Sequence, residues 1–365
     1  MQSLAPAIQR FFQTLAFVAT SLLSLQAMSQ TTNELAAETM QYSSSVDGTA
    51  PLLADVCYRR DGRRKPIIAV MHGFSGRRDH VAGDIRDLAG RGLFAVALDM
   101  RGRGGSAGKF DSGGLDVHDI VDGLLAAVAK WPAEIDQRNI NIVGYSGGGG
   151  NCFAAFVRFP DLFHVVAPFF GIADYGEWYR LRAEAYGKIM DDAIGGPPDR
   201  LPLQYAARNF CLGAANNRTA RLHIFWDAKE TACPPVMTGK FLDTYRAAGL
   251  TNAVAHLSKE GDALRWHHGY RTDNPMLVQT DEIFCRDIFQ SVPDLSLPPK
   301  GELTVCGYVV TRRFQVFIED GQRGVVKVAY DLTGRLPEVK VIENPDRLDV
   351  KISWNTPLSA LAASP

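Results

Sequence analysis

The pentapeptide Gly144-Tyr145-Ser146-Gly147-Gly148 constrains this chain more than any other stretch of its sequence. Its pattern, G-x-S-x-G, follows an apolar run at 140–143 and precedes an alanine-rich segment that begins near Asn151. Glycines on both sides of a serine permit a sharp turn from a strand into a helix. In such a turn the hydroxyl projects where a carbonyl group can reach it, so Ser146 is a candidate nucleophile. The alternative is a glycine-rich turn with a solvated serine.

The bulk composition narrows the range of partners. A chain of 365 residues with 46% hydrophobic content can bury a large core, and its length favours two domains. The net charge of −1 shows no basic excess that would hold a nucleic acid backbone. A small-molecule or uncharged polymeric carbonyl substrate therefore fits better than a nucleic acid.

The first 29 residues resemble an export signal. Arg10 is their only charged residue, and a charge-free, mostly apolar stretch follows it from Phe11 to Met28. Ala27-Met28-Ser29 is an acceptable cleavage site, which predicts a periplasmic or secreted protein with no stable membrane insertion after cleavage. A buried N-terminal helix and an uncleaved anchor are the alternatives.

The six cysteines are an even number, and an exported chain would meet oxidising conditions, so we expect one to three disulfides. Cys152 lies in an apolar helical pattern and is better explained as a buried thiol. No Cys/His spacing is typical of zinc, and no glycine loop has the pattern of a nucleotide site. The sequence therefore predicts neither a metal nor a cofactor.

Strands and helices alternate along residues 30–295, after two strands between Gln41 and Arg60 that are joined by an Asp47-Gly48 turn. Continuous apolar runs are typical of parallel strands covered on both faces; they lie at 66–71, 93–99, 140–143, 164–170, 221–226 and 253–257. Helical spacing of apolar residues lies between them, at 79–90, 116–130, 151–159, 235–249 and 279–290. This pattern predicts an α/β fold with a doubly wound, mostly parallel sheet and a helical insertion at 174–219.

The sequence changes character after a proline-rich linker at 295–300. Alternating segments with turn signals between them predict a small antiparallel β domain over 301–356. The expected strands lie at 303–310, 314–318, 325–330, 339–342 and 348–354.

A serine nucleophile needs a base and an orienting acid, and on a doubly wound sheet these follow it in the order acid, histidine. His268 stands immediately before a glycine, which leaves the imidazole room to turn toward Ser146, and His267 is the alternative base. The acid is either Glu230 or Asp227, in the loop after the strand at 221–226.

Four motifs over about residues 41–290 resemble the α/β-hydrolase superfamily, in its serine esterase and prolyl-oligopeptidase-like branch. They are His72-Gly73, the run from Asp99 to Ser106, Gly144 to Gly148, and His268-Gly269. The resemblance favours Glu230 over Asp227 as the acid, because Glu230 stands where the family's Gly-x-x-Asp-x-x-Val-Pro loop has its aspartate.

The same resemblance implies further roles. The backbone N–H groups of Phe74 and Gly147 would form the oxyanion hole, while His72 and the turn from Asp99 to Ser106 would brace the loops beside it. Independently of the resemblance, four aromatic residues are candidate walls of the substrate pocket, although a place in the core is the more common role for such residues: Tyr145, Trp178, Trp226 and Trp266.

The export segment, the glycine run after the elbow and the appended β domain resemble, more narrowly, the oxidised polyvinyl alcohol hydrolases. That family implies cleavage of β-diketone units in an oxidised polymer, with ester activity on small acetates. The alternatives are a carboxylesterase or peptidase of the same fold, and a catalytically silent relative that only binds a partner.

Overall fold

A computed structural model of the chain describes residues 34–262, 265–268 and 276–362. The predicted export signal, residues 1–29, and Gly269 lie outside the described residues. Within those residues, no helix is both long and apolar enough to cross a membrane.

The larger sheet has eight strands in the order β1-β2-β4-β3-β5-β6-β7-β8. All neighbours from β4 to β8 pair in parallel, while β1, β2 and β4 pair antiparallel, so the predicted mostly parallel sheet is confirmed. The strands are β1 Leu35–Tyr42, β2 Leu52–Arg59, β3 Lys65–Met71, β4 Phe94–Leu98, β5 Ile135–Tyr145, β6 Val165–Phe169, β7 Arg221–Asp227 and β8 Ala253–Ser258.

Helices cover both faces of this sheet, and the core is divided accordingly. Along β3, Ile67 and Ala69 belong to one apolar cluster, whereas Ile68 and Val70 belong to another. This alternation is what the strand pleat dictates when both faces are buried. The helices are α1 Ala82–Gly90, α2 Asp116–Lys130, α3 Gly147–Arg158, α4 Tyr175–Ile194, α5 Pro202–Ala206, α6 Val236–Ala247, α7 Met276–Ile288 and α8 Ser359–Ala362.

The C-terminal strands form a separate antiparallel sheet of six, in the order β13-β12-β9-β10-β11-β14, with an apolar cluster of its own. The predicted strand at 303–310 is in fact two strands, because Gly307 turns the chain with a φ of 76°. The strands are β9 Lys300–Cys306, β10 Tyr308–Val310, β11 Gln315–Ile318, β12 Val325–Asp331, β13 Glu338–Glu343 and β14 Val350–Ser353.

Two further sequence-based predictions are corrected by the structure. The helix after the elbow begins at Gly147, not at Asn151, so four consecutive glycines are helical. The expected disulfides are absent from the structure, in which all six cysteines are buried thiols, as predicted for Cys152 alone. The thiols are small apolar groups in the packed interior, which is a common use of cysteine.

Candidate active site

Ser146 lies in the sharp turn between β5 and α3, with φ 57° and ψ −116°. A positive φ is strained for a residue with a side chain, and such strain persists where the surrounding structure fixes it. Here the Ser146 N–H donates to the carbonyl oxygen of Phe169 on the neighbouring strand, at 3.0 Å. The turn therefore holds the hydroxyl at the carboxyl edge of the sheet, as expected of a nucleophile elbow.

The glycines around Ser146 are required by close backbone contacts. A Cβ on Gly144 would lie 2.3 Å from the carbonyl oxygen of Gly148, and one on Gly148 would lie 2.4 Å from that of Met71. Real side-chain carbons do not approach oxygen so closely, so α3 packs against the sheet only because these positions carry no side chain.

The backbones of Phe74 and Gly147 meet beside the elbow. A Cβ built on Gly147 would lie 2.8 Å from the backbone nitrogen of Phe74. Because Gly147 is the first residue of α3, its N–H has no acceptor within the helix. The two predicted oxyanion-hole residues are therefore neighbours in space, on the loop after β3 and the start of α3.

His72 braces the loop that carries Phe74. The imidazole is fully buried; its Nδ1 lies 2.8 Å from the carbonyl oxygen of Gly73, and its Nε2 accepts from the N–H of Met100 at 3.3 Å. A neutral ring with its proton on Nδ1 satisfies both contacts. The geometry is that of a bracing residue, in agreement with the role expected for His72.

Glu230 and His268 meet across the site. The ring Nδ1 of His268 lies 3.0 Å from Glu230 Oε1, although the N–H is not aligned for a hydrogen bond in this structure. Catalytic hydrogen bonds are often poorly aligned without substrate. The backbone N–H of His268 also donates to Glu230 Oε2, at 2.7 Å. The carboxylate thus contacts both the ring and the backbone of the candidate base.

Glu230 is held as an anion despite its burial. Burial alone would raise its pKa, but His268 and the N–H groups of His268 and Cys233 outweigh that effect, so the pKa of the carboxyl is lowered. Its Oε1 accepts from the backbone N–H groups of Ala232 at 2.6 Å and Cys233 at 3.1 Å. A charged carboxylate in this position can orient and stabilise an imidazolium.

Asp227, the alternative acid, has a different set of partners. It is fully buried and accepts from Arg265, from the Ser258 hydroxyl at 2.6 Å and from the Lys229 N–H at 2.8 Å. The hydrogen bonds from Arg265 hold the pKa of Asp227 well below its ordinary value. Since Ser258 also accepts from the N–H of Trp266 at 3.0 Å, Asp227 anchors the segment that leads to His268.

The two adjacent histidines also differ in their surroundings. The His268 ring packs against Phe170, with centroids 4.7 Å apart, and its side chain is 34% exposed. Phe170 itself has a positive φ of 36°, a second strained residue beside the elbow. The ring of His267 turns back, its Nδ1 lying 2.6 Å from the carbonyl oxygen of His268. His268, not His267, therefore has the contact with Glu230.

Cys233 is a site residue that the sequence reasoning missed. Its sulfur lies 3.9 Å from the Ser146 hydroxyl, and its backbone N–H donates to Glu230. Burial raises the pKa of this thiol, so it is a neutral group and a poor nucleophile. The signal that the sequence offered was its place in the acid-bearing loop, three residues after Glu230.

Two of the four candidate pocket walls are fully buried, and the other two are partly buried. Tyr145 and Trp178 are 2% and 1% exposed, while Trp226 and Trp266 are partly buried and pack against the two core clusters of the large sheet. Trp178 contacts the site directly, because its ring lies 5.2 Å from that of Phe74 and its Nε1 donates to the carbonyl oxygen of Ala232 at 2.7 Å.

The turn from Asp99 to Ser106 is held by ion pairs and hydrogen bonds of its own. Asp99 accepts from Arg78, Arg101 forms a buried pair with Asp119 at 2.6 Å, and the Ser106 hydroxyl accepts from the Leu53 N–H at 2.9 Å. These contacts give the turn the bracing role expected from the sequence. Among the described residues, no cluster of three or more His, Cys, Asp or Glu side chains could hold a metal ion.

The sheet order, the strained elbow and the residues that converge on it define the class: the fold is that of the α/β hydrolases, and the site is arranged like that of a serine hydrolase. A sequence model of the family described as serine aminopeptidase, S33, matches residues 62–209, less than half of the chain. Sequence comparison with curated proteins finds no significant match.

Solved structures similar to this chain include peptidases and an esterase. The acylaminoacyl peptidase of Pyrococcus horikoshii is 18% identical, with a TM-score of 0.59 over 72% of this chain and 43% of its own. A puromycin hydrolase is also 18% identical, with a TM-score of 0.59 over 72% of this chain and 41% of its own. Esterase B from Lactobacillus rhamnosis is 16% identical, with a TM-score of 0.56 over 76% of this chain and 93% of its own.

This chain thus matches under half the length of the two peptidase-type structures, and the similarity at these identities establishes the fold alone. Nothing in these comparisons supports the narrower resemblance to the oxidised polyvinyl alcohol hydrolases, which stays a prediction.

Proposed function

We propose that the protein hydrolyses carboxylic esters through an acyl-serine intermediate. The observation that carries this proposal is the strained turn at Ser146, which stands immediately before the place where the backbones of Gly147 and Phe74 meet. A residue with a side chain is strained at φ 57°, and a nucleophile elbow is a functional reason to hold a serine in this conformation. The Glu230–His268 contact supplies the base that such a hydroxyl requires.

In the proposed reaction, His268 takes the proton of Ser146 as its oxygen attacks the substrate carbonyl, and Glu230 stabilises the imidazolium that forms. The N–H groups of Phe74 and Gly147 donate to the developing oxyanion. Collapse of the tetrahedral intermediate returns the proton to the leaving alcohol and leaves an acyl-serine. Water, activated by His268, then hydrolyses the acyl-serine and regenerates the hydroxyl.

The extent of the overlap with a solved esterase favours an ester as the substrate class. Esterase B is matched over 93% of its own length, whereas the acylaminoacyl peptidase is matched over 43% of its own length. The same triad also cleaves carbon–carbon bonds in β-diketones, with an enolate as leaving group. Because of the sequence resemblance to the oxidised polyvinyl alcohol hydrolases, the test includes a β-diketone as a second substrate.

The test is hydrolysis of an aryl acetate and of a simple 1,3-diketone by purified protein and by two serine variants. Ser146→Ala should abolish turnover, while Ser43→Ala, at an exposed position outside the site, should retain it. Diketone cleavage that depends on Ser146 would support β-diketone units, as found in the oxidised polymer, as a second class of substrate. Full ester turnover by Ser146→Ala, or no labelling of Ser146 by a serine-reactive phosphonate, would refute the proposal and favour a non-catalytic relative.

We also propose that residues 1–29 export the protein to the periplasm or the medium. The support is the charge-free apolar stretch after Arg10. Cell fractionation of the full chain beside a chain that starts at Gln30 tests this, since the shorter protein should stay in the cytoplasm. Retention of the full chain in the cytoplasm would contradict the export proposal.

A further inference from the structure

Four aromatic rings form a continuous row beside the oxyanion loop. The ring of Phe74 lies 5.0 Å from that of Phe110 on one side and 5.2 Å from that of Trp178 on the other. Trp178 in turn stacks on Tyr186, with centroids 5.1 Å apart. Phe74 stands at the oxyanion hole, so this row borders the place where an acyl group would bind.

Arg182, an arginine with no acidic partner among the described residues, stands at one end of the row. The Arg182 guanidinium lies 5.8 Å from the Tyr186 ring, at a kink of α4 where the backbone is not helical, with φ −133° and ψ 16°. Its Nε is buried and has no hydrogen-bond partner within the described part of the chain. Arg180, two residues earlier, instead pairs with Glu177 at 2.7 Å.

A second such arginine stands at the other end. Arg103 places its guanidinium 4.0 Å from the Phe110 ring, and its buried Nε also finds no partner among the described residues. Burial lowers the pKa of Arg103. The side chain lines a cavity of about 580 Å³ together with Lys109, Phe110 and residues of α4. One other cation there, Lys188, is paired with Asp192 at 2.9 Å, so Arg103 and Lys109 leave the cavity with an excess of positive charge.

The Arg182 end of the row is linked to the nucleophile by direct contacts. Trp178 donates to the carbonyl oxygen of Ala232, and the next residue, Cys233, lies 3.9 Å from the Ser146 hydroxyl. The positive charge of Arg182 also reaches the Cys233 thiol, where it opposes the larger effect of burial on that thiol's pKa. These contacts connect the Arg182 end of the row to the residue beside the nucleophile.

A partly buried guanidinium without a counter-ion loses hydration that no protein group replaces. A carboxylate would restore the missing interactions, because it matches the planar fork of an arginine. We propose that Arg182 forms an anion-binding subsite, that the positive charge of Arg103 at the far end of the row adds to its attraction for anions, and that the substrate cleaved at Ser146 carries a carboxylate. This inference rests on the proposed esterase activity and specifies its substrate class.

The test compares 4-nitrophenyl esters of glutaric acid and of its neutral monoamide, which differ in the charge of one terminal group. Wild-type protein should prefer the carboxylate in kcat/KM, and Arg182→Met should reduce that preference by about 10- to 100-fold. Hydrolysis of the neutral ester by the same variant is the reference, so that the preference is the ratio of the two kcat/KM values for each protein. Arg103→Met should reduce the preference further when combined with Arg182→Met.

Arg180→Met is the matched control, since it removes an arginine from the same helix that already has a partner, and it should leave the preference intact. Melting curves would show that each variant folds. Equal kcat/KM for the two esters in wild type, or a preference that survives the double Arg103 and Arg182 variant, would overturn the inference.

Binding of glutarate to the Ser146→Ala protein, measured by calorimetry, separates this inference from the proposed activity. Glutarate should bind more tightly than glutaramide to this protein and should lose that advantage when Arg182→Met is added. This result would support the anion subsite even if no ester were hydrolysed. Equal affinities for the two compounds would refute the subsite, whatever Ser146 does.

Discussion

Replacement of Glu230 by glutamine tests the proposed triad most sharply, because it removes a charge and keeps the shape. The Glu230 side chain is 1% exposed, and its two oxygens accept three backbone N–H groups besides their contact with His268. A glutamine has a single carbonyl oxygen, and its amide group donates. At least one of the three N–H groups would therefore face another donor.

The expected losses follow from these contacts. One buried N–H without a partner costs about 1–3 kcal/mol in the free energy of unfolding. Loss of the carboxylate that orients and stabilises the imidazolium should lower kcat by about 10⁴-fold. The variant should thus remain folded at room temperature, since typical domains have about 5–15 kcal/mol of stability, and yet be nearly inactive.

The stability difference should also depend on pH. The folded-state pKa of Glu230 is lowered from its ordinary value of 4.5, so its ionisation stabilises the fold above that pH. This contribution is lost as the pH falls through the lowered pKa. The gap in unfolding free energy between wild type and Glu230→Gln should therefore narrow below about pH 4.5.

The assay is kcat and KM for an aryl acetate together with urea unfolding at several pH values, with Asp227→Asn as the matched variant. Asp227→Asn weakens a buried ion pair with Arg265, so we expect a large loss of stability, of about 3–5 kcal/mol. Its kcat, measured where it is folded, should fall less than that of Glu230→Gln. A Glu230→Gln protein with near wild-type kcat, or a larger loss of kcat in Asp227→Asn, would refute the assignment of the acid.

Three further outcomes are expected. Gly147→Ala should lower kcat by about 10²- to 10³-fold, because its methyl group would lie 2.8 Å from the Phe74 backbone nitrogen and displace an oxyanion donor; wild-type rates would contradict this. Native protein should react with no more than a trace of a thiol reagent, whereas urea should expose six thiols, since every cysteine is buried; rapid labelling of Cys233 in the native state would be inconsistent with its surroundings. Arg158→Met should lower the free energy of unfolding by about 3 kcal/mol or more, because it deprives several buried carbonyl groups of their donor; an unchanged urea midpoint would argue against it.

Much of the fold could be predicted because its signals are local. Continuous apolar runs fixed the six parallel strands to within a few residues, and helical spacing gave α2 at 116–130, the bounds that the structure has. The elbow was also visible from its place between a strand and a helix. These features depend on neighbours in sequence, which a single chain displays.

The start of α3 could not be predicted by the same reasoning. Four glycines oppose a helix by intrinsic propensity, which placed the predicted start at Asn151. The structure overrides that preference because only glycine fits where α3 approaches β3 and β6: a Cβ on Gly149 would lie 2.7 Å from the carbonyl oxygen of Phe169. Tertiary packing, absent from a local pattern, decides the helix start.

The two candidate acids could not be separated for a similar reason. Asp227 and Glu230 lie three residues apart, and the difference between them comes from partners about 38 positions later in the chain, Arg265 and His268. No local pattern pairs Asp227 with Arg265. Once that pair forms, Asp227 is already engaged in holding the histidine-bearing segment, and Glu230 is left to contact the imidazole.

The C-terminal sheet is joined to the candidate active site through α3, the helix that begins next to Ser146. Arg158 ends α3 and is fully buried; its Nε donates to the carbonyl oxygen of Cys306 at 2.9 Å, and its guanidinium lies 4.4 Å from the Tyr308 ring. A helix is stiff over its length, and a cation at its carboxyl end also complements its dipole. Ser146 immediately precedes α3. Contacts from β9 and β10 therefore hold the C-terminal end of the same helix whose N-terminal end follows the elbow. The C-terminal sheet therefore helps to hold the geometry that the proposed chemistry needs, although it contributes none of the reacting groups.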